Sequence, residues 1–144
     1  MVGVDGSVAS LAALRWAVRE AGLRETALHV VRAWEDTAKR VAPYAHAAPA
    51  SRADDDLTAR ARLQADVAAA LGPSPLAPVQ VTVAEGLAAR VLLDHAAGAD
   101  LLVLGCAIRR APDGIGPVAR ACLRHAPCPV VVVSGAMTDV PVPA

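Results

Sequence analysis

Two segments of the chain carry residue types from which a phosphate or nucleotide site could be built. The first is the run Val4-Asp5-Gly6-Ser7, and the second is the loop of residues 105–116. The glycines and arginines of that loop are Gly105, Arg109, Arg110, Gly114 and Gly116. Glycines allow close approach of the backbone to a phosphate, and arginines can pair with its oxygens. Spacing alone is equally compatible with a ligand site and with a solvent-exposed Gly/Pro-rich loop.

Other chemistries find less support in the sequence. The motifs GxxxxGK, GxGxxG after a strand, and GxSxG are all missing. Cys122 falls on the apolar face of a predicted helix, as is typical of a core residue. Cys106, in the loop, is the better candidate for a reactive thiol. The cysteines show no metal-ligand spacing with His95 or His125, so we expect neither a metal site nor a catalytic residue.

Length and composition indicate one globular domain. A chain of 144 residues can bury its own core, which must consist of Val, Leu and Ala because aromatic residues make up only 2%. The 14 basic and 14 acidic residues balance, which argues against nucleic acid or an acidic membrane as a partner. With no signal peptide or long apolar stretch in the sequence, we expect a cytoplasmic location.

Strand and helix patterns alternate along the chain. The predicted strands are Met1–Val4, Thr26–Ala33, Val79–Val83, Asp100–Leu104 and Val130–Val133. Helices are predicted after Ser7, from Asp54 to Leu71, from Gly86 to Ala97 and from Pro117. This alternation implies right-handed parallel crossovers, and the runs LLVL and VVVV suit strands buried on both faces. The predicted fold is α/β, an open parallel sheet with helices on both faces.

Local signals refine the first two helices. Ser7 is predicted to cap the first, and Gly22 to end it. The acidic run of residues 54–56 is predicted to lie at the N-terminus of the second, where negative charge is favourable. The predicted apolar faces are Leu11, Leu14, Val18 and Ala21 in the first helix, and Leu57, Ala61, Val67, Ala68 and Leu71 in the second. Residues 34–51 are predicted to form a loop or a partly disordered segment.

The carboxyl edge of the predicted sheet is where a ligand would bind. In an open parallel sheet, ligands lie beyond the carboxyl ends of the strands, where the strand order reverses. Residues 4–7, residues 30–33 and the loop 105–116 would meet there. The helix that begins at Pro117 would add N–H donors from its N-terminus.

Several segments resemble universal stress proteins, in order and over nearly the whole chain. They are residues 2–7 (VGVDGS), 13–17 (ALRWA), 28–34 (LHVVRAW), 99–105 (ADLLVLG) and 125–133 (HAPCPVVVV). The chain is therefore identified as a member of that family over residues 1–134, followed by a tail at residues 135–144. Members usually carry several residues before the position of Val2. Either the first strand is short here, or the true start lies upstream.

The resemblance implies a fold and a function. The fold would be a five-stranded parallel sheet of order 3-2-1-4-5, similar to that of adenine-nucleotide hydrolases, in a homodimer often joined through the fifth strands. Many members bind ATP, with Mg as its companion, whereas another branch binds none. The role would be binding and signalling in a stress response rather than catalysis, with weak ATPase activity left open.

The resemblance also assigns site residues. Asp5 would meet the nucleoside, and the backbone of Val30 would contact it. Phosphates would lie on a loop that reads Gly, two residues, Gly, nine residues, then Gly and Ser or Thr. Gly105 matches the first glycine and Gly116 the third. The implied site residues are Asp5, Val30, Leu104, Gly105, Arg109, Gly116 and Val118.

This sequence departs from the phosphate-loop pattern. Ile108 stands at the second glycine, seven residues separate it from Gly116, and Pro117 replaces the Ser or Thr. Proline offers neither a hydroxyl nor an N–H. The loss of two charge-assisted hydrogen bonds would cost about 3–6 kcal/mol, or on the order of a hundredfold or more in affinity. Arg109 and Arg110, or a ligand with fewer phosphates such as AMP, could compensate.

Three functions remain after these observations. The first is a dimeric stress-response protein with an adenine-nucleotide site of altered phosphate binding. The second is a dimeric interaction protein that binds no nucleotide, which the loop departures favour. The third is a hydrolase or phosphotransferase that uses Asp5, but such sites need a lysine after a later strand, and the single lysine, Lys39, lies elsewhere.

Overall fold

The computed structural model describes residues 1–35, 49–107 and 114–135, with the side chains of the second range described from residue 55 onward. The strands are β1 (Val2–Gly3), β2 (Leu28–Trp34), β3 (Val79–Glu85), β4 (Leu102–Cys106) and β5 (Val130–Ser134). The helices are α1 (Val8–Leu23), α2 (Pro49–Leu71), α3 (Ala88–His95) and α4 (Pro117–His125).

The five strands form one parallel sheet of order β3-β2-β1-β4-β5, which confirms the predicted fold and strand order. Val2 of the short central strand is paired with Val30 on one side and Val103 on the other. Each crossover carries a helix back over the sheet, so both faces are covered. From β1 the chain adds β2 and β3 on one side of the sheet and then returns to add β4 and β5 on the other side. The topological switch point therefore lies between β1 and β4, at their carboxyl ends.

Side chains of alternate strand residues pack into two separate hydrophobic clusters, one on each face of the sheet. On one face, Val30 and Val103 pack with Leu14 of α1 and Leu63 of α2. On the other face, a second cluster joins the sheet to α3 and α4, and its members include Val31, Leu92, Leu102, Leu104 and Cys122. Since both faces are buried, the uninterrupted apolar runs of these strands are explained.

Helix α1 follows the prediction at its start and along its apolar face. The Ser10 N–H donates to Ser7 Oγ at 3.2 Å, so Ser7 is the N-cap. The predicted end was wrong, because the helix continues through Leu23. Gly22 instead permits close packing, since a Cβ there would lie 2.9 Å from the carbonyl oxygen of Leu76.

Helix α2 differs from its prediction in both start and phase. It begins at Pro49, so the acidic run of residues 54–56 lies beyond the first turn, where the helix dipole has little effect. Leu57, predicted to be buried, is 63% exposed, whereas Leu63 is fully buried. Ala61 and Ala68 are exposed as well, while Val67 and Leu71 pack against the core. The remainder of the predicted loop, residues 36–48, lies outside the described residues.

The other boundaries agree to within about two residues. Helix α3 is shorter than predicted, and α4 begins at Pro117 as predicted. Across the described part of the chain, no helix combines the length and apolar character needed to span a membrane.

Candidate functional site

A cavity of ≈ 120 Å³ lies at the carboxyl edge of the sheet, over the ends of β1, β2 and β4. Helices α3 and α4 complete its wall. Its lining residues are Gly3, Val4, Asp5, Ser10, Val31, Ala33, Ala88, Leu92, Leu104, Gly105, Val118 and Ala119. This position, beside the switch point between β1 and β4, is where open α/β sheets bind ligands.

The turn after β1 is organised by a network of local hydrogen bonds. The Ser7 N–H donates to Asp5 Oδ1 at 2.9 Å, and the Asp5 N–H donates to Ser10 Oγ at 3.3 Å. Ser10, only 4% exposed, in turn donates its hydroxyl to the Ser7 carbonyl at 2.9 Å. Gly6 has a φ of 86°, a left-handed conformation that favours glycine. The sequence Asp-Gly-Ser with Ser10 therefore fixes the orientation of the Asp5 carboxylate.

Asp5 keeps its negative charge at neutral pH. Partial burial acts to raise the pKa of Asp5, but hydrogen bonds from the Ser7 side chain and backbone and from Ser10 outweigh it, so the pKa is lowered. Hydrogen bonds to the charged form of a carboxyl group always act in this direction. An ionised carboxylate at the mouth of an apolar cavity can accept hydrogen bonds from the hydroxyl or amino groups of a ligand.

On the other side of the cavity, β4 packs against the first turn of α1 without space for a side chain. A Cβ on Gly105 would lie 2.3 Å from the carbonyl carbon and oxygen of Ala9 and 2.5 Å from the nitrogen of Ser10. The thiol of Cys106 donates to the carbonyl oxygen of Gly114. Cys106 is only 7% exposed. Because reactive cysteines need access to solvent, this burial removes Cys106 as a candidate for a reactive thiol.

Helix α4 directs its N-terminus towards the cavity. Gly116 is its N-cap residue and makes no side-chain cap, and Pro117 is its first residue. Val118 and Ala119, in the first turn, line the cavity. First-turn N–H groups have no acceptor within their own helix and attract anions, but proline contributes no such donor.

Four of the residues expected at the site line this cavity: Asp5, Leu104, Gly105 and Val118. Gly116 lies next to them as the α4 cap, whereas Arg109, with Ile108 and Arg110, lies outside the described residues. Val30 was expected to contact the nucleoside through its backbone, and that contact stays a prediction. Its side chain is fully buried in the cluster on the opposite face, while its neighbours Val31 and Ala33 line the cavity. Side chains of a strand alternate between faces, so the direction of the Val30 side chain does not bear on a backbone contact.

Sequence reasoning missed the remaining walls of the cavity. Ser10, Leu92 and Ala119 line it, although none was assigned to the site. The signal for Ala119 was available, because it follows Val118 in the first turn of the predicted fourth helix. Leu92 carried no comparable signal, since nothing local indicates which part of α3 faces the carboxyl edge.

A larger cavity of ≈ 280 Å³ lies at the opposite, amino edge of the sheet, with His29 and His95 in its wall. The two imidazole rings meet edge to face at 5.7 Å, and His29 Nε2 is 2.8 Å from Thr82 Oγ1. Burial, and then the neighbouring His95, lower the pKa of His29. Despite its greater volume, this cavity lies away from the strand ends where such folds bind ligands, so the carboxyl-edge cavity is the candidate site.

Candidate metal ligands do not converge in the described ranges of the chain. No group of three or more His, Cys, Asp or Glu side chains there could hold a metal ion. Cys122 is buried, and burial raises the pKa of its thiol, as expected for a core residue.

Comparison with known proteins identifies the family of this chain. The model of the universal stress protein family matches residues 1–134. A universal stress protein of Mycolicibacterium smegmatis is 32% identical over 147 residues, which cover 94% of this chain and 47% of that protein. The chain thus spans about half the length of this curated relative.

Solved structures show the same fold. A universal stress protein in complex with cAMP has a TM-score of 0.65 at 22% identity, over 93% of this chain and 94% of its own. The universal stress protein from Archaeoglobus fulgidus in complex with dAMP has a TM-score of 0.61 at 21% identity, over 92% and 94%. At these identities the likeness concerns the fold alone. The family match over nearly the whole chain, together with the curated relative, shows that this protein belongs to the universal stress protein family.

Proposed function

We propose that this protein binds an adenine nucleotide with a single phosphate, with AMP as the leading candidate, at the carboxyl edge of its sheet. In this proposal the protein acts in a stress response by binding the nucleotide, without converting it to a product. The observation that carries the proposal is the ionised Asp5 carboxylate at an apolar cavity that also receives the N-terminus of α4.

Each part of a nucleotide finds a complementary surface. The aliphatic side chains of Val31, Leu92 and Leu104 suit the faces of a purine ring. Asp5 suits the ribose hydroxyls or the exocyclic amine, which are hydrogen-bond donors. The first turn of α4 suits a phosphate through its N–H groups and the positive end of the helix dipole.

A monophosphate fits better than a triphosphate for two reasons. Pro117 removes one N–H and one hydroxyl from the helix end that would bind the phosphate, which leaves fewer donors for a second and third phosphate. The related structures with cAMP and dAMP also hold single-phosphate ligands. Mg would then be needed only if ATP binds.

Binding without catalysis is the simplest role for this site. Among the described residues that line the cavity, Asp5 is the only one with an ionisable side chain. Hydrolysis or phosphoryl transfer would require a positioned base and a cation for the transferred group. We therefore assign no catalytic residue.

The test is calorimetric titration with ATP, ADP and AMP, each with and without Mg. We expect micromolar binding of AMP, with no tighter binding of ATP. Asp5→Asn should weaken AMP binding by roughly 10- to 100-fold, the equivalent of about 1.5–3 kcal/mol for a hydrogen bond to a charged group. Asp94→Asn, at an exposed position of α3 outside the cavity lining, makes the same chemical change and should leave AMP affinity unchanged.

The second candidate is an interaction protein that binds no nucleotide and works through a homodimer. The N-terminus of α4 favours this candidate, because Gly116 and Pro117 provide no side-chain donor for a phosphate and Pro117 has no N–H. In both candidates we propose that β5, an edge strand with half-buried valines, pairs with a second copy, because an uncovered edge strand is an aggregation hazard. Sedimentation at micromolar concentration would test the dimer, and a stable monomer would contradict it. Absence of binding to all three nucleotides would favour this candidate.

A further inference from the structure

We propose that Arg32, held by Asp66 of α2, is a positioning residue for Asp5 in the ligand site. The inference rests on the proposed function, because it concerns how the Asp5 turn is presented to a nucleotide. It links α2 to ligand affinity, although no α2 residue with a described side chain lines the cavity.

The Arg32 side chain approaches the Asp5 turn from the face of the sheet opposite to the cavity-lining residues of β2. Its neighbours Val31 and Ala33 line the cavity, so strand alternation places the Arg32 side chain on the opposite face, under α1 and α2. There Nη1 donates to Asp66 Oδ2 at 3.1 Å, and Nη2 donates to the carbonyl oxygen of Asp5 at 3.4 Å. One guanidinium therefore contacts both α2 and the backbone of the Asp5 turn.

Gly6 shows how closely the turn rests on this ion pair. A Cβ at Gly6 would lie 3.4 Å from Asp66 Oδ2 and 3.6 Å from Arg32 Nη2. The backbone of the turn is thus held between two supports. Ser7 and Ser10 hold it through hydrogen bonds at the start of α1, and Arg32 of β2, paired with Asp66 of α2, donates to the Asp5 carbonyl oxygen.

The Arg32–Asp66 ion pair is less exposed to solvent than the surface ion pair of α3. The side chains of Arg32 and Asp66 are 18% and 31% exposed, against 78% and 62% for the surface pair Arg90–Asp94. Solvent screens a partly buried pair less than an exposed one. Arginine can also hold two acceptors in a fixed fork, a geometry that the single ammonium group of lysine does not reproduce.

A purely structural role is the alternative, in which Arg32 only fastens α2 to the sheet. The two roles differ in their dependence on Asp5. If Arg32 acts through Asp5, its replacement should matter for ligand binding only while the Asp5 carboxylate is present. If it acts through general stability, the two effects should add.

The experiment is a double-mutant cycle with AMP affinity as the readout, on Arg32→Lys, Asp5→Asn and the double variant. We expect Arg32→Lys to weaken AMP binding about three- to tenfold in the wild-type background and to add no further loss in the Asp5→Asn background. Arg90→Lys, in the exposed pair, should leave affinity unchanged. Circular dichroism and thermal unfolding establish that each variant is folded, and Asp66→Asn replaces Arg32→Lys in the cycle if that variant does not fold.

The outcomes separate the two proposals. If the wild type binds no AMP, the proposed function fails and this inference fails with it. If the wild type binds AMP and Arg32→Lys binds it equally well, only the inference is overturned. Equal losses from Arg32→Lys with and without the Asp5 carboxylate would also overturn it, because they would identify Arg32 as a structural anchor.

Discussion

The two sides of the candidate site are built in different ways. On the β1–α1 side, residues 4–10, four hydrogen bonds link Asp5, Ser7 and Ser10, and the serine hydroxyls take part. On the β4–α4 side, residues 104–107 and 114–119, Gly116 makes no side-chain cap and Pro117 begins the helix. There the close fit of backbone against backbone at Gly105 is the main feature.

This difference bears on which part of a ligand the protein can recognise. The β1–α1 side holds a charged acceptor in a fixed orientation before any ligand arrives, which limits the entropy lost on binding. The β4–α4 side offers chiefly N–H groups from one helix turn to a phosphate. Affinity should therefore depend mainly on the nucleoside, and little on additional phosphates.

The largest expected effect is on folding, and it concerns the contact where the two sides meet. Gly105→Ala would place a methyl group 2.3 Å from backbone atoms of Ala9, which cannot move aside as a flexible side chain could. We expect the free energy of unfolding to fall by about 3 kcal/mol or more, at the upper end of overpacking effects. Urea denaturation measures it.

Gly116→Ala is the matched control. A Cβ at Gly116 meets no atom of the described residues within 4 Å, and its φ of −71° suits any residue. Because alanine is less favourable than glycine at a helix N-cap, we expect a loss of at most about 1 kcal/mol, well below that of Gly105→Ala. Similar losses in the two variants would mean that β4 does not pack against α1 as closely as described.

A second variant is designed to remove the difference between the two sides. Pro117→Ser would give α4 both an N–H and a hydroxyl at its first position. We expect AMP to bind about tenfold more tightly, the effect of roughly one charge-assisted hydrogen bond, while adenosine affinity stays the same. Calorimetry with both ligands measures this.

Pro117→Ala separates the two new donors, since it restores the N–H alone. An intermediate gain is expected for AMP. Equal gains for adenosine and AMP would contradict the assignment of the α4 N-terminus to the phosphate.

A third variant tests the hydrogen-bond network of the β1–α1 side. Ser7→Ala removes the oxygen that accepts the Ser10 N–H at the start of α1. Loss of such a cap should lower the free energy of unfolding by about 1 kcal/mol. Ser74→Ala, at an exposed position outside the helices, is the control. If both variants lose the same stability, the cap makes no particular contribution.

The smallest effect is a pH dependence. Hydrogen bonding lowers the pKa of Asp5 below the ordinary value of 3.8 despite partial burial, so the native state favours the charged form. The resulting stability is fully present above the unfolded pKa and is lost as pH falls through the folded pKa. Wild type should therefore lose stability relative to Asp5→Asn when thermal unfolding is followed from neutral pH to below 3.8. A constant difference across that range would count against the network.

Features that depend on local sequence were predicted well. The parallel α/β class followed from the alternation of apolar runs with helices, whereas the strand order followed from the family resemblance alone. The start of α4 was predicted from Pro117 and the α1 cap from Ser7. Both predictions rest on the residue type alone, because proline favours the first helical position and serine the N-cap. The Asp-Gly-Ser turn was likewise visible as a cluster of polar residues after a strand.

Features that depend on which side of a helix or strand is buried, or on contacts between distant residues, were not predicted. Leu57 and Leu63 are both leucines of one helix, and the sequence alone did not identify Leu63 as the buried one. Val31 and Ala33 line the cavity, and composition alone did not show which alternate residues of β2 would face it. The pairing of Arg32 with Asp66 joins residues 34 apart in the chain, so it depends on the packing of α2 against the sheet.

The fit at Gly105 also affects how an alignment of this family should be interpreted. Its contacts are with main-chain atoms of Ala9 and Ser10, so no smaller side chain at either position could act as a suppressor of an enlarged residue 105. A mutational scan selected only for folded protein should already reject most replacements there, with or without nucleotide. Glycine at this position is therefore required by helix packing, and its presence in a sequence is not evidence that a phosphate binds.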